Sequence, residues 1–480
     1  MEVIFLNQNE LSKLDQLPIS KWHWKMFFLL GLGLQFNGFL NSSGSSILAD
    51  LVSRGWSNNY YNAMFQSAMM VGFFIGSLLG GALGDRIGRK YAYEISIGIF
   101  GILALVASFS PNIFFLITCR ALMGIGMGMG IVLGYGTFTE LMPAHVRGKW
   151  SARISFLGNL SPLLATLVGF LVIPRTSWRM MFVIGGILAL GILIFIAKFL
   201  EESPRWYFKN GREAEGKAVL NNIVKSIETE RGEKLHFDLS MARLEKITHE
   251  TEEHEERIRF RDFFHGTLGR RTLVSSVTLI AMNLSLYTIT VWIPIIFVDN
   301  GINILRSLLM STLIMVGAPV GVFVSSLIMD KIPRKWFGVG FILAIAVLGY
   351  VYANQRTDIG IVTIGVLLTF ILYIYNSFSS AVYAPEVWPT REKMRGLGIA
   401  DAIGRLASIV SPFLIAWLLT DFGAKIVFLI VGLLLAICAL ILAIFGIETR
   451  DKSCEEIDDL LKKGNDSSKK NIDKGEMNYG

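Results

Sequence analysis

Long apolar runs alternate with short polar loops along almost the whole chain. A membrane-crossing helix needs about 20 predominantly apolar residues. The pattern predicts twelve such runs: 25–50, 60–81, 91–110, 112–137, 150–173, 178–199, 272–297, 305–329, 336–354, 358–383, 396–420 and 424–446. Six precede a polar stretch at 200–271 and six follow it. That stretch is rich in Glu, Lys and Arg and is expected to form short amphipathic helices in water. The expected divisions are a segment 1–24, a helical bundle 25–199, a charged linker 200–271, a second bundle 272–446 and a polar tail 447–480. The fold class expected is all-α, a membrane protein of two six-helix bundles.

Composition agrees with lipid as the main solvent. Of the 480 residues 52% are hydrophobic and only 17% charged, where a soluble domain carries about 25%; mean hydropathy is +0.52. The formal charge is +7, but its placement is more informative. Cations cluster in the even-numbered loops: Arg86, Arg89 and Lys90; Arg147, Lys149 and Arg153; Lys331, Arg334 and Lys335; Arg391, Lys393 and Arg395. Lysine and arginine are retained on the cytoplasmic side, so these loops and both termini are expected to face the cytoplasm. Residues 1–22 lack the basic start and small-residue cleavage site of a signal peptide. Basic patches interleaved with aromatics are absent, which argues against nucleic-acid binding. The three cysteines have neither metal nor disulfide spacing, and no Walker-type phosphate loop, dinucleotide fingerprint or catalytic constellation is visible. Neither an enzyme nor a cofactor is expected.

Three signals repeat at nearly one offset. Asp85-Arg-Ile-Gly-Arg-Lys90 matches Asp330-Lys-Ile-Pro-Arg-Lys335. Glu140-Leu-Met-Pro143, followed by Arg147-Gly148, matches Glu386-Val-Trp-Pro389, followed by Arg395-Gly396. Glu202 and Glu448 each follow the sixth helix of a half. Agreement of this kind points to a duplicated six-helix unit, expected to be related by a pseudo-twofold.

These same residues resemble the major facilitator superfamily. The loop GALGDRIGRK resembles its signature G-x-L-x-D-R-x-G-R-K, and Glu202-Ser-Pro-Arg-Trp206 resembles the P-E-S-P-R-W segment of its sugar-porter and organic-ion branches. Glu386-Val-Trp-Pro389 and Glu448-Thr449 resemble two further motifs of those branches. The resemblance spans roughly residues 25–455. It implies secondary transport of a small molecule, and contact between the first charged loop and the start of helix eleven. Two departures narrow the branch. Helix seven reads LIAMNLSLYTITVW where hexose porters usually carry Q-Q-x-S-G. Helix one reads FNGFLNSSG, offering Asn37 and Asn41 where proton-coupled relatives usually carry an aspartate. The pattern is closer to metabolite, aromatic-acid, niacin or organic-ion transporters than to hexose carriers.

Candidate residues fall into two sets. On the cytoplasmic side Asp85, Arg86, Arg89, Glu140, Arg147, Asp330, Arg334, Glu386 and Arg395 are expected to form a charge network that closes when the halves meet. Polar groups inside the spans are the candidates for substrate: Asn37, Gln66, Arg120, Asn159, Asn283, Tyr287, Asn376 and Arg405, with Gln35 alongside. Ionised side chains in lipid are costly and usually functional. Asp401 is the candidate proton carrier by elimination, although its spacing also allows a self-satisfied pair with Arg405. By the resemblance, Arg120 matches the helix-four arginine that partners the helix-one acid in coupled relatives; with Asn37 there, Arg120 is expected to meet an anionic substrate. The expected function is transport of an anionic or aromatic metabolite by a monomer in a bacterial inner membrane, coupled to protons. A facilitative sugar-type carrier, an exporter and a non-transporting sensor are the alternatives.

Overall fold

A computed structural model describes residues 10–237, 260–389 and 392–450. Most of the tail at 447–480, the middle of the linker and the side chain of Asp330 therefore lie outside the described residues. The described chain is helical. In order the helices are α1 (Lys21–Ser53), α2 (Asn59–Ile87), α3 (Arg89–Ser108), α4 (Ile113–Leu141), α5 (Arg147–Asn159), α6 (Ser161–Val172), α7 (Arg179–Phe199), α8 (Pro204–Lys209), α9 (Glu213–Arg231), α10 (Gly266–Asp299), α11 (Ile304–Met315), α12 (Gly317–Ile328), α13 (Arg334–Ala353), α14 (Asp358–Ser377), α15 (Ala384–Glu386), α16 (Lys393–Phe422) and α17 (Ala424–Phe445). A π-helical turn, Phe378–Tyr383, joins α14 to α15.

Among the described residues eleven helical stretches are long and apolar enough to cross a membrane. α1 does not reach that threshold, though it is 33 residues long. The reason is local: Gln35, Asn37, Asn41, Ser42, Ser43, Ser45 and Ser46 lower its hydropathy. Span five is two helices, α5 and α6, broken at Leu160, with Pro162 in the first turn of α6, where its missing N–H costs nothing. Side-chain oxygens start several spans. Asn58 accepts from the amide of Tyr61, Asn112 from Phe115 and Thr357 from Gly360, satisfying donors that lipid cannot.

The chain divides into two compact units, Met1–Arg257 with Gly301–Leu308 and Ile258–Asn300 with Leu309–Gly480. In the first, α2 and α4 pack backbone to backbone. A Cβ on Gly72 or Gly76 would fall on the carbonyl oxygens of Ala121 or Ile125, and one on Gly124 or Gly128 on those of Met69 or Phe73. With no hydrophobic effect between helices in lipid, such close approach is what holds them. In the second unit α10 packs against α16, and α13 against α17. The shorter helices α8 and α9 follow α7; α9 buries Leu220, Ile223 and Ile227 on one stripe.

Gly76→Val and Gly128→Val are expected to destabilise by about 1–3 kcal/mol each through overpacking. Gly191→Ala, which meets open space, should be nearly neutral. Thermal unfolding of purified protein in detergent checks both.

Candidate functional site

The charged hairpin after α2 is built around Glu202. α3 begins directly after Gly88, so the amides of Arg89 and Lys90 are first-turn donors without helical acceptors. The Glu202 carboxylate accepts both, Oε1 from Arg89 at 2.8 Å and Oε2 from Lys90 at 3.1 Å, and Oε1 also accepts from Ser203 at 2.9 Å. Gly88 is required there: its φ is +104°, and a Cβ would fall on that carboxylate. Burial pushes the Glu202 carboxyl up and the three amides pull it back.

The rest of the Glu202-Ser-Pro-Arg-Trp segment engages the same hairpin. Trp206 Nε1 donates to the Asp85 carbonyl at 2.8 Å, and Arg205 Nε donates to the Glu140 carbonyl at 3.2 Å. Arg89 bridges two carboxylates, Asp85 at 2.7 Å and Glu140 at 3.0 Å. Asp85 also meets Lys209 at 3.3 Å. Arg86 is exposed.

The second unit repeats the chemistry. Glu448 accepts from the amides of Arg334 at 2.7 Å and Lys335 at 3.0 Å. Arg334 pairs with Glu386 at 3.1 Å, and Thr449 Oγ1 donates to the same carboxylate at 2.6 Å. Arg395 is exposed, with its guanidinium over the ring of Phe263. So of the expected network, Asp85, Arg89 and Glu140 come together in one unit, and Arg334 and Glu386 in the other.

Arg147 has a partner that sequence reasoning missed. Asp15, in a helical segment over residues 10–16, receives Arg147 at 2.9 Å and Arg205 at 2.7 Å. Leu14 and Leu17 beside it are fully buried. Asp50 was also missed. It is 2% exposed, pairs with Arg54 at 2.9 Å and accepts the Trp178 amide at 3.1 Å. Trp178 lies 5.3 Å from Trp56, and Arg179 covers both rings.

Of the eight intramembrane substrate candidates Asn37, Gln66, Arg120 and Asn283 are buried and the other four half-buried. Arg120 is fully buried on α4 and donates to the carbonyls of Leu40 at 2.9 Å and Asn41 at 3.0 Å, with its guanidinium 4.9 Å from the Phe65 ring centre. Its Nε makes no hydrogen bond, nor does either amide atom of Gln66. Arg120 and Gln66 both border Gly44. No carboxylate pairs with Arg120 among the described residues. Asn37 Nδ2 donates to the Met127 carbonyl at 2.8 Å, tying α1 to α4. Gln35 Oε1 accepts from Ser161. Asn159 is turned onto its own helix, donating to Ser155.

In the second unit Asn283 donates to the Leu279 carbonyl and borders Gly404. Asp401 and Arg405 flank that glycine and pair with each other at 2.7 Å, the Asp401 side chain being 42% exposed. Tyr287 is half-buried; the carbonyl of Asn376 accepts from Ser379 and Ser380 where the π-helical turn begins.

Comparison with known proteins decides the family. The model of the family described as "Sugar (and other) transporter" matches residues 26–461. The chain belongs to the sugar (and other) transporter family. Members are transporters of the major facilitator superfamily, not enzymes. The chain is 46% identical to the inner membrane metabolite transport protein YdjE of Escherichia coli (strain K12), over 94% of this chain and 98% of that one. It is 27% identical to the niacin transporter NiaP of Acinetobacter baylyi, over 93% and 99%. The inward-open structure of the xylose transporter XylE from E. coli has the same fold, with a TM-score of 0.72 at 19% identity, covering 91% of this chain and 99% of that one.

Glu202→Ala removes a buried carboxylate from three amides and is expected to cost about 1.5–3 kcal/mol, read as a lower unfolding temperature. Asp15→Ala, whose ion pairs are partly exposed, should cost only about 0–1 kcal/mol per pair. It should nonetheless speed tryptic cleavage after Arg147 and Arg205. An unaltered cleavage pattern would show that Asp15 does not hold these arginines in solution.

Proposed function

We propose that this chain is a twelve-helix secondary transporter that moves a small organic anion, an aromatic carboxylate in the first instance, by alternating access of two six-helix bundles related by a pseudo-twofold. α1 counts as a span despite its polarity, because in this family polar helix faces line the substrate path rather than lipid. The even loops and both termini face the cytoplasm of a bacterial inner membrane, where the cations cluster.

The observation that carries the substrate class is Arg120. A fully buried guanidinium is costly unless a counter-charge meets it, and two backbone carbonyls supply only partial charge. Gln66 beside it has unmet donor and acceptor capacity. A carboxylate brought in as substrate supplies the missing charge. The niacin transporter among the relatives is named for such a compound. Asn37 and Asn159 from one unit and Asn283, Tyr287, Asn376 and Arg405 from the other complete the proposed binding set. The cytoplasmic charges, Asp85, Arg86, Arg147, Asp330 and Arg395 included, act as the gate.

Coupling to protons is the finer part of the proposal, with Asp401 as the carrier: it pairs with Arg405 one helical turn on and is the carboxylate of the apolar run 396–420. A facilitative mechanism is the second reading, favoured by the missing acid beside Arg120.

In proteoliposomes, Arg120→Gln should lower uptake of nicotinate- or benzoate-type acids by about 10- to 100-fold, the value of one charge-assisted hydrogen bond, with normal insertion. Equal uptake by the variant would remove the anion assignment. Imposing an inward proton gradient should raise wild-type uptake and leave Asp401→Asn unresponsive; indifference of the wild type would favour facilitated diffusion.

A further inference from the structure

A cleft of about 330 Å³ opens at the end of the first unit where α1, α3 and α7 carry their terminal cations. Lys25 of α1, Lys90 of α3 and Lys198 of α7 converge there, beneath Tyr207 of α8. Lys25 and Lys198 both lie over the ring of Phe199, at 4.7 and 5.3 Å from its centre. Neither has a carboxylate within ion-pair distance among the described residues. Lys90 is partly engaged, donating to the Ala197 carbonyl at 2.9 Å with Glu94 at 4.0 Å. Two carboxylates line the cleft. Glu202 is occupied by the amides of α3. Glu201 has a buried Oε2 without a hydrogen bond; burial pushes its carboxyl up, while Trp22 and the charges of Lys25 and Lys90 pull it back. The cleft therefore holds three lysines against two carboxylates, one of them engaged by backbone amides.

Below this charged mouth the surface turns apolar. Tyr91 lines the cleft, is 57% exposed and shares a face of α3 with Ile95, one turn on. Ile194, 70% exposed, lies one turn from Lys198 on α7, with Phe195 beside it. α3 and α7 pack together, so the two faces run side by side into the span. A cationic pocket capping an apolar track has the polarity of a phospholipid: phosphate at the mouth, acyl chains along the helices.

We propose that this cleft binds the phosphate of an anionic glycerophospholipid from the surrounding leaflet, with Lys25 and Lys198 as its principal partners and Tyr91 marking the headgroup level. Interfacial tyrosines and basic pockets between spans serve that role in membrane proteins generally. Glu201 opposes the lipid's charge and sets the strength of binding.

The test is native mass spectrometry of the full chain in mild detergent, titrated in parallel with phosphatidylglycerol, phosphatidylcholine and inorganic phosphate. Phosphatidylglycerol should bind more tightly than phosphatidylcholine. The double variant Lys25→Ala/Lys198→Ala should weaken it on the order of tenfold without altering phosphatidylcholine. Glu201→Gln should tighten phosphatidylglycerol, a gain that a merely destabilised fold would not produce. Equal binding of the two lipids, an unchanged response in Glu201→Gln, or full competition by inorganic phosphate at equal concentration would each overturn the lipid assignment; the last would make the cleft a free-anion site.

Discussion

In a chain surrounded by lipid, the unsatisfied N–H groups at a helix start have few places to go, and Glu202 answers that constraint for α3. One carboxylate accepts the first two amides of the helix and the amide of Ser203. Because Glu202 follows α7, this contact closes one end of the unit across the full length of the intervening sequence. Everything charged nearby is arranged around it. Arg89, whose amide is held by Glu202, extends its side chain to Asp85 and Glu140, and the Trp206 and Arg205 that follow Glu202 seal the carbonyls of Asp85 and Glu140. The positive end of the α3 dipole adds to the attraction.

The same solution recurs with different neighbours. Glu448 holds the start of α13 as Glu202 holds α3, and Arg334 finds Glu386 as Arg89 finds Glu140. At the first position glycine precedes the helix, at a φ that only glycine adopts comfortably; at the second, Pro333 stands there with φ −57° and needs no such freedom. The two units share the carboxylate and differ in the backbone that precedes the helix. Each clasp lies within its own unit, and each makes that unit a stiffer body. The opposite end of the first unit is fastened as well, by Asp50 on Arg54 and on the amide of Trp178. Alternating access by bundles that move whole depends on such internal stiffness at both ends.

Much of this was legible before any coordinates. Lipid sets a minimum helix length, so the apolar runs announce themselves, and the twofold repetition of charged motifs marks both clasps. Gly76, Gly80 and Gly84 stand four apart in the sequence, a spacing that follows the helix period and marks a close-packing face of α2. What stayed hidden depends on partners distant in sequence. Asp15 looks like an ordinary residue of a polar segment until Arg147 and Arg205 are seen around it, and Asp50 ends an apolar run without announcing that Trp178 waits for it, 128 residues away. The apolar runs at 25–50 and 150–173 do not themselves mark two local features: the polar stripe that lowers the hydropathy of α1, and the break at Leu160 inside span five.

The proposed anion site rests on Arg120, a buried guanidinium with no carboxylate partner among the described residues. Where coupled members of the superfamily place an acid on helix one, α1 offers Asn37, and that side chain is turned to the Met127 carbonyl. The guanidinium is left with carbonyls and the face of Phe65. A neutral protein group could have replaced it: an arginine serving only to pack would cost more than a methionine of similar volume. On the proposed reading, a visiting negative charge supplies what the two carbonyls and the Phe65 ring do not. If that visitor is the substrate, binding and charge compensation are a single event. The empty carrier is then the electrostatically incomplete state, which biases it toward capturing an anion before it turns over.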